Sequence, residues 1–374
     1  MIITGRAVCG EGRAVSIDDG VISAIEEIDE ATGPLVVPGL VDLQVNGYAG
    51  HDLNVPGLTV DTVAAVTVAL RSVGTTTFVP TLITAERMHT LSALRVIAEA
   101  CDRNPEVAAA VGGIHLEGPY LSSEPGCSGA HPVSSMRDPD PDDLARWQQA
   151  SGGRVKIITL APERPGSREF IELAAASGVI VSIGHTNATP VQVRAAVVAG
   201  ASMSTHLGNG AAALLPRHDN YIWAQLAEPS LTAGLIADGH HLPWFTFRSI
   251  CAAKGMDRVL LVSDAAALAG ADPGTYTSPI GGEVTVGADG RLSITGTSFL
   301  AGGGASLLQC VDWASRSGGI ELAEALASAT ERPAAFARLQ DRGRLVVGRR
   351  ADLLEIDDSG PSLRLEQVHV GSDH

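Results

Sequence analysis

The stretch from Ser182 to Gly210, SIGHTNATPVQVRAAVVAGASMSTHLGNG, constrains the fold more than any other part of the chain. Each end is a short apolar run closed by a histidine: Ile183-Gly184-His185 and Met203-Ser204-Thr205-His206. Between them Val191, Val193, Ala195, Ala196, Val197 and Val198 have helical spacing. Pro190 suits a first helical turn, Thr189 before it can cap the free amides, and Gly200 is a natural stop. The stretch therefore reads strand, His, helix, strand, His. In a parallel α/β fold both histidines leave neighbouring strands at the same end of the sheet. One histidine there would be read as structural. Two, in equivalent positions of consecutive strand–helix units, point to a metal or catalytic role.

The same rhythm runs through most of the chain. Apolar runs at Leu40–Val45, Thr75–Val79, Ala110–Leu116, Val155–Leu160, Val179–Ile183, Ser202–Thr205, Leu231–Ile236 and Val259–Val262 read as strands. Helical spacing lies between them, as in 61–73, 169–176 and 247–253. Eight strands alternating with helices is the count for a (β/α)8 TIM barrel. An open doubly wound sheet is the alternative, but no Gly-rich phosphate loop follows the first strand. The 374 residues would ordinarily suggest two or three domains, a length that a barrel can absorb as one. Both termini are β-patterned. Residues 14–17 and 21–25 flank the hairpin signal Asp18-Asp19-Gly20, and 348–356 and 363–370 return to strand pattern. They are expected to pair into one small, discontinuous β domain of residues 1–38 plus 345–374. The barrel then spans 39–344, with a β-hairpin insertion near 276–296 around Ala288-Asp289-Gly290.

Charge and cysteine usage narrow the partners. The net charge of −16 argues against nucleic acid or an anionic membrane surface. No run reaches the ~18 apolar residues of a membrane span. The opening MIITGRAVCGEGRAV carries Arg and Gly where a signal peptide needs an apolar core. The five cysteines are scattered without a CxxC pair, which fits reduced thiols in a cytoplasmic protein.

Barrel active sites lie at the C-terminal ends of strands. Strand one ends Gln44-Val45-Asn46, strand three ends His115-Leu116-Glu117, and strands five, six and eight end at His185, His206 and Asp264. A carboxylate and two imidazoles suit a catalytic Zn²⁺ or similar ion with one position left for water, and Asp264 would sit close by as general base. Bland roles exist for each: a loop carboxylate for Glu117, a helix N-cap for Asp264, a loop histidine for His131. His115 reads as core or as a support for the site. His51, His89 and His369 read as surface or packing residues, and Cys127 as incidental.

The pieces Val37-Pro38-Gly39-Leu40-Val41-Asp42, His115-Leu116-Glu117-Gly118-Pro119, Gly184-His185-Thr186, Thr205-His206-Leu207, Ala237-Asp238-Gly239-His240-His241 and Val262-Ser263-Asp264-Ala265 come in a familiar order and spacing. In these motifs the chain resembles the N-acetylglucosamine-6-phosphate deacetylases of the amidohydrolase superfamily, nearly end to end. The resemblance implies a barrel with a small β-sandwich, a homodimer, and one divalent metal ion held by Glu117, His185 and His206. Zn²⁺ is the expected ion, with Fe²⁺, Co²⁺ or Mn²⁺ as alternatives. It makes Asp264 the base that takes a proton from the attacking water and returns it to the leaving amine, and places His131 against the acetamide carbonyl. Asn209, Gly210 and His241 become sugar-phosphate contacts, and Arg217 the arginine that reaches a neighbouring subunit's phosphate. The implied reaction converts N-acetylglucosamine 6-phosphate to glucosamine 6-phosphate and acetate. The alternatives are a related amidohydrolase acting on a non-phosphorylated or different N-acyl amino sugar, and a non-catalytic sugar-binding relative.

Two departures stand out. Gln44 and Asn46 occupy the positions where many amidohydrolases carry His-x-His for a second metal, so one ion is expected. The only lysines, Lys156 and Lys254, lie away from the end of strand four, where binuclear relatives carry a bridging lysine. After His206, Gly208-Asn209-Gly210-Ala211 replaces the family's aromatic residue and Asn-Ala-Met, which is expected to open the pocket wall near the sugar.

Overall fold

The computed structural model describes residues 1–29, 32–278 and 282–371. Positions 30–31 and 372–374 of the expected small domain, and 279–281 of the expected insertion, lie outside the described residues. The central sheet has eight parallel strands in chain order: Leu40–Val45, Thr75–Ile83, Ile114–Glu117, Val155–Leu160, Ile180–Ile183, Ala201–Ser204, Thr232–Leu235 and Val259–Leu261. Nearly every residue of the first two is buried, as strands enclosed on both faces require. The sheet closes through a parallel bridge between Val45 and Ala265. Lower down, the turn at Ser328 and Ala329 accepts from Leu261 N at 2.8 Å and from Val41 N at 2.8 Å, joining the last strand to the first. The resulting barrel is filled by Val41, Leu43, Val79, Ile157, Met203, Leu260 and others, so its centre is packed core. Ala334 and Ala337 belong to the same cluster and close the floor.

Local chemistry sets the element ends. The helix Pro190–Ala199 carries the full capping box, Thr189 with Gln192, and ends at Gly200 with φ +118°. Asp19 and Gly20 both have positive φ, as a two-residue hairpin turn between paired strands demands. Two strand boundaries differ from the sequence pattern. Strand three, expected from Ala110, begins only at Ile114: Ala110 is the last residue of the helix Pro105–Ala110, which the Asn104 side chain starts by accepting from the amides of Glu106 and Val107, and residues 111–113 lead from it into the strand. Strand two runs on through Pro80 to Ile83. Pro80 is tolerated beside an irregularity in the pairing with strand one.

A second sheet of six strands gathers both ends of the chain, in the order Arg364–His369, Leu353–Asp357, Leu35–Pro38, Ile2–Arg6, Gly12–Asp18, Val21–Ile28. A separate three-stranded antiparallel sheet, Gly274–Ser278, Gly282–Val286 and Leu292–Ile294, follows strand eight. Its apolar face, with Val284 and Leu292, packs near Ala266, Leu268 and Ala301 at the top of the barrel. Among the described residues no helix is long and apolar enough to cross a membrane.

Candidate active site

Five strand ends deliver the candidate residues to one place. Glu117 closes strand three, while His185, His206 and Asp264 each lie just beyond a strand with φ of +50°, +28° and +48°. A left-handed backbone is uncommon for a residue with a side chain, and such positions cluster where the surroundings enforce them. Here the ends of strands five, six and eight all adopt it.

Glu117 Oε1 lies 3.1 Å from His206 Nε2 and 3.4 Å from His185 Nε2, and the two Nε2 atoms are 3.0 Å apart. All three side chains are buried. His185 Nδ1 faces the Cys127 carbonyl oxygen at 2.7 Å, which orients the ring and leaves Nε2 facing Glu117 and His206. Burial alone would raise the Glu117 carboxyl, but hydrogen bonds from His185 and His206 hold it well below the usual carboxylate range. Two nitrogens and an ionised oxygen converging within 4.8 Å of one another fit a divalent cation of borderline softness.

Asp264 sits beside this trio. Asn46 Nδ2 donates to its Oδ1 at 2.7 Å, and Gln44 Nε2 donates both to that oxygen at 3.0 Å and to Glu117 Oε1 at 3.1 Å. Amide N–H groups of the first strand's end thus face both carboxylates. Burial, and next the negative charge of Glu117, push the Asp264 carboxyl above its usual range.

His131 comes from the loop after strand three. Thr84 N–H donates to its Nδ1 at 3.3 Å, so the neutral ring carries its proton on Nε2, 3.7 Å from Glu117 Oε2. Burial lowers its pKa to about 3, which keeps the ring neutral. His241 Nδ1 lies 2.7 Å from Asp238 Oδ2, while Asp238 Oδ1 accepts from the amides of His240 and His241.

A cavity of about 350 Å³ opens above these groups, lined by Asn46, Glu117, His131, His185, His206, Asn209, Gly210, His241 and Asp264, with an apolar wall that includes Leu268, Leu292 and Phe299. Gln44 lies in direct contact with two of these residues rather than on the surface of the cavity. Arg217 is exposed on the loop beyond His206 and does not line this cavity. Gly208 has φ +102°, and a Cβ there would point at Leu242, 3.0 Å away. The opening expected from its small size is therefore not at the cavity wall. Smallness matters at Gly210, where a Cβ would lie 2.7 Å from His185 Nδ1. Lys156 donates to Ala337 O beneath the barrel, and Lys254 to the carbonyls of Gln225 and Glu228, both away from the site.

Three contributors had no role in the sequence pattern. Cys127, expected to be incidental, aims His185 through its backbone oxygen, which no side-chain motif can reveal. Thr84 lies past the expected end of strand two. Asp238 did carry a signal, since an Asp two residues before a backbone amide commonly accepts from it.

The profile of the amidohydrolase family matches residues 35–370.

The chain belongs to the amidohydrolase family.

Within that family it is 32% identical to an N-acetylgalactosamine-6-phosphate deacetylase of Shewanella sp. (strain ANA-3), over 96% of this chain and 92% of the relative. It is 33% identical to an N-acetylglucosamine-6-phosphate deacetylase of Bacillus subtilis (strain 168), over 80% of this chain and 77% of the relative. A mutant N-acetyl-D-glucosamine-6-phosphate deacetylase from Mycobacterium smegmatis, solved in complex with N-acetyl-D-glucosamine-6-phosphate, superposes with a TM-score of 0.88 at 30% identity, covering 100% of this chain and 98% of that one. The amidohydrolase barrel read from the strand-end motifs is the one observed.

Proposed function

We propose that this chain is a hydrolase that removes the N-acetyl group of N-acetylglucosamine 6-phosphate, giving acetate and glucosamine 6-phosphate. The observation that carries it is the meeting of Glu117, His185 and His206 beside a half-buried Asp264 held by two amide donors. The relatives of both origins, and the sugar phosphate in the Mycobacterium smegmatis complex, support the substrate class.

A divalent cation on Glu117, His185 and His206 would supply Lewis acidity at the amide carbonyl and make the attacking water more acidic. Zn²⁺ suits the two-imidazole, one-carboxylate donor set best. The side chains do the rest. Asp264 accepts the proton of the attacking water and returns it to the nitrogen that leaves as the C–N bond breaks. A carboxyl with raised proton affinity is suited to both transfers near neutral pH. Asn46 and Gln44 hold Asp264 at the angle this requires. His131, neutral and with its proton on Nε2, donates to the acetamide oxygen as negative charge builds there. His241, aimed by Asp238, and Asn209 with Gly210 bind the sugar phosphate. Arg217, exposed outside its own cavity, reaches the phosphate bound by a partner in a homodimer. Five free thiols, four of them buried, fit a reducing cytoplasm.

A second substrate, N-acetylgalactosamine 6-phosphate, is favoured by one observation: a relative named for that activity spans 96% of this chain. Acetate release from both epimers, with and without the 6-phosphate, tests both proposals. Turnover of the gluco epimer 6-phosphate above the rest is expected; turnover of unphosphorylated sugars alone overturns the phosphate assignment, and none at all overturns the reaction.

A further inference from the structure

The apolar wall of the cavity ends in one residue that the chain leaves uncovered. Phe299 lines the cavity and is 70% exposed. Among the described residues lining the cavity it alone is Phe, Tyr or Trp. Its backbone, by contrast, is fixed. Ile294 N donates to Phe299 O at 3.0 Å, Phe299 N donates to Thr297 Oγ1 at 3.2 Å, and Arg291 Nη2 donates to Ser298 O at 2.8 Å. Leu300 forms an antiparallel bridge with Ser293. The tied backbone holds the bare ring at a fixed place on the cavity wall, where an occupant can pack against it.

The same segment is tied to the reacting centre. Gly303 N donates to Asp264 O at 3.0 Å, and Ala266 N donates to Gly303 O at 2.9 Å. A Cβ at Gly303 would fall 2.2 Å from Ser263 O, so only glycine permits this approach. Phe299 is thus four residues along a hydrogen-bonded segment from the backbone of the candidate base. Asp264 and Phe299 line the same cavity, so one occupant can reach both.

We infer that Phe299 is a specificity-determining residue: its face is the platform on which the C–H face of the bound pyranose packs. This rests on the amino-sugar assignment above. A pyranose presents a row of axial C–H bonds on one face, and an aromatic ring matches that face while the hydroxyls keep their polar partners.

The test measures binding by calorimetry in the Asp264→Asn background, where the ligand is not consumed. Phe299→Ala is expected to weaken N-acetylglucosamine 6-phosphate about 3- to 10-fold. Phe299→Trp is expected to bind within about 2-fold of the parent. The acyclic O-phospho-N-acetylethanolamine, which has no ring to stack, should bind both variants and the parent alike. In the otherwise native enzyme the Phe299→Ala loss should fall on KM rather than kcat. Equal affinity of parent and Phe299→Ala for the sugar overturns the inference, as does an equal loss for the acyclic ligand. Failure of the reaction itself is read separately, as absence of acetate release by the native protein, and leaves the binding comparison decisive for Phe299.

Discussion

Asn46 donates a hydrogen bond of 2.7 Å to Asp264, joining the end of the first barrel strand to the residue that follows the last. The donor is a neutral amide rather than a charged group. It holds the carboxylate still without cancelling its basicity. Asn46→Leu removes one hydrogen bond to a charged group, worth about 1.5–3 kcal/mol. The expected result is a fall of about 10- to 100-fold in kcat with metal content unchanged. Initial rates and elemental analysis of the same preparation check it. Loss of metal instead would place Asn46 among the structural supports of the ligand set.

Asp264→Asn keeps the shape and removes the proton acceptor. Acetate release should drop by about 10²–10⁴-fold, the usual contribution of a positioned acid–base group. The metal should stay, since Asp264 is outside the Glu117, His185 and His206 cluster. A variant with near-native turnover would remove Asp264 from the mechanism.

Chelation should act on stability as well as activity. Without a cation, the Nε2 atoms of His185 and His206, 3.0 Å apart beside Glu117, have no shared centre to hold them together. A ligand present at 100 times its Kd stabilises by about 2.7 kcal/mol. The melting temperature of chelated protein should therefore fall by a few degrees, on the order of 5 °C, and recover with added divalent metal. An unchanged melting curve with metal demonstrably removed would argue against a structural share for the ion.

Gly210→Ala places a methyl group 2.7 Å from His185 Nδ1, at a residue with φ +56°. The new atom competes with the Cys127 carbonyl for the space that aims the imidazole. The expected outcome is a loss of about 1–3 kcal/mol of stability together with reduced metal occupancy. Elemental analysis separates these: full occupancy with only lower stability would mean the ring shifts without losing its function.

Asp42 makes the protein's stability depend on pH. Burial raises its pKa to about 7, against the opposing effect of hydrogen bonds from Ser263 and Gln44. In the unfolded chain the group ionises near pH ~4. The folded form therefore favours the protonated acid. Its stabilisation is complete below ~4 and is lost as pH rises through about 7. Asp42→Asn cannot ionise and keeps an oxygen for the Ser263 and Gln44 amides. Urea unfolding of both proteins at pH 5 and pH 8 should show the native chain losing about 1–3 kcal/mol more than the variant on going to the higher pH. Parallel profiles would show that Asp42 stays ionised in the fold.

The barrel was legible because its signals are local. Buried parallel strands read as apolar runs, and caps such as Thr189 with Gln192 mark where helices begin. The candidate ligands were legible because each ends such a run. Boundaries failed where a side chain competed for the backbone, as Asn104 did, or where strand pairing carried on past the apolar run, as it did from Pro80 to Ile83. The expected opening at Gly208 failed for a related reason. Residue size can be read from the sequence, but the direction in which a Cβ would point depends on φ.

Sequence alone determined the strand–helix alternation and the residues that stand at the strand ends, because periodicity and short-range spacing encode both, while the family was legible only through the resemblance of its motifs. Tertiary structure decided what those residues face. Closure of the barrel brought Asn46 and Gln44 of the first strand against Asp264 of the last. It set the Cys127 carbonyl behind His185 and left Phe299 bare at the rim. Such relations join positions up to hundreds of residues apart and run partly through backbone atoms, which are the same in every residue and so leave no trace in the order of side chains.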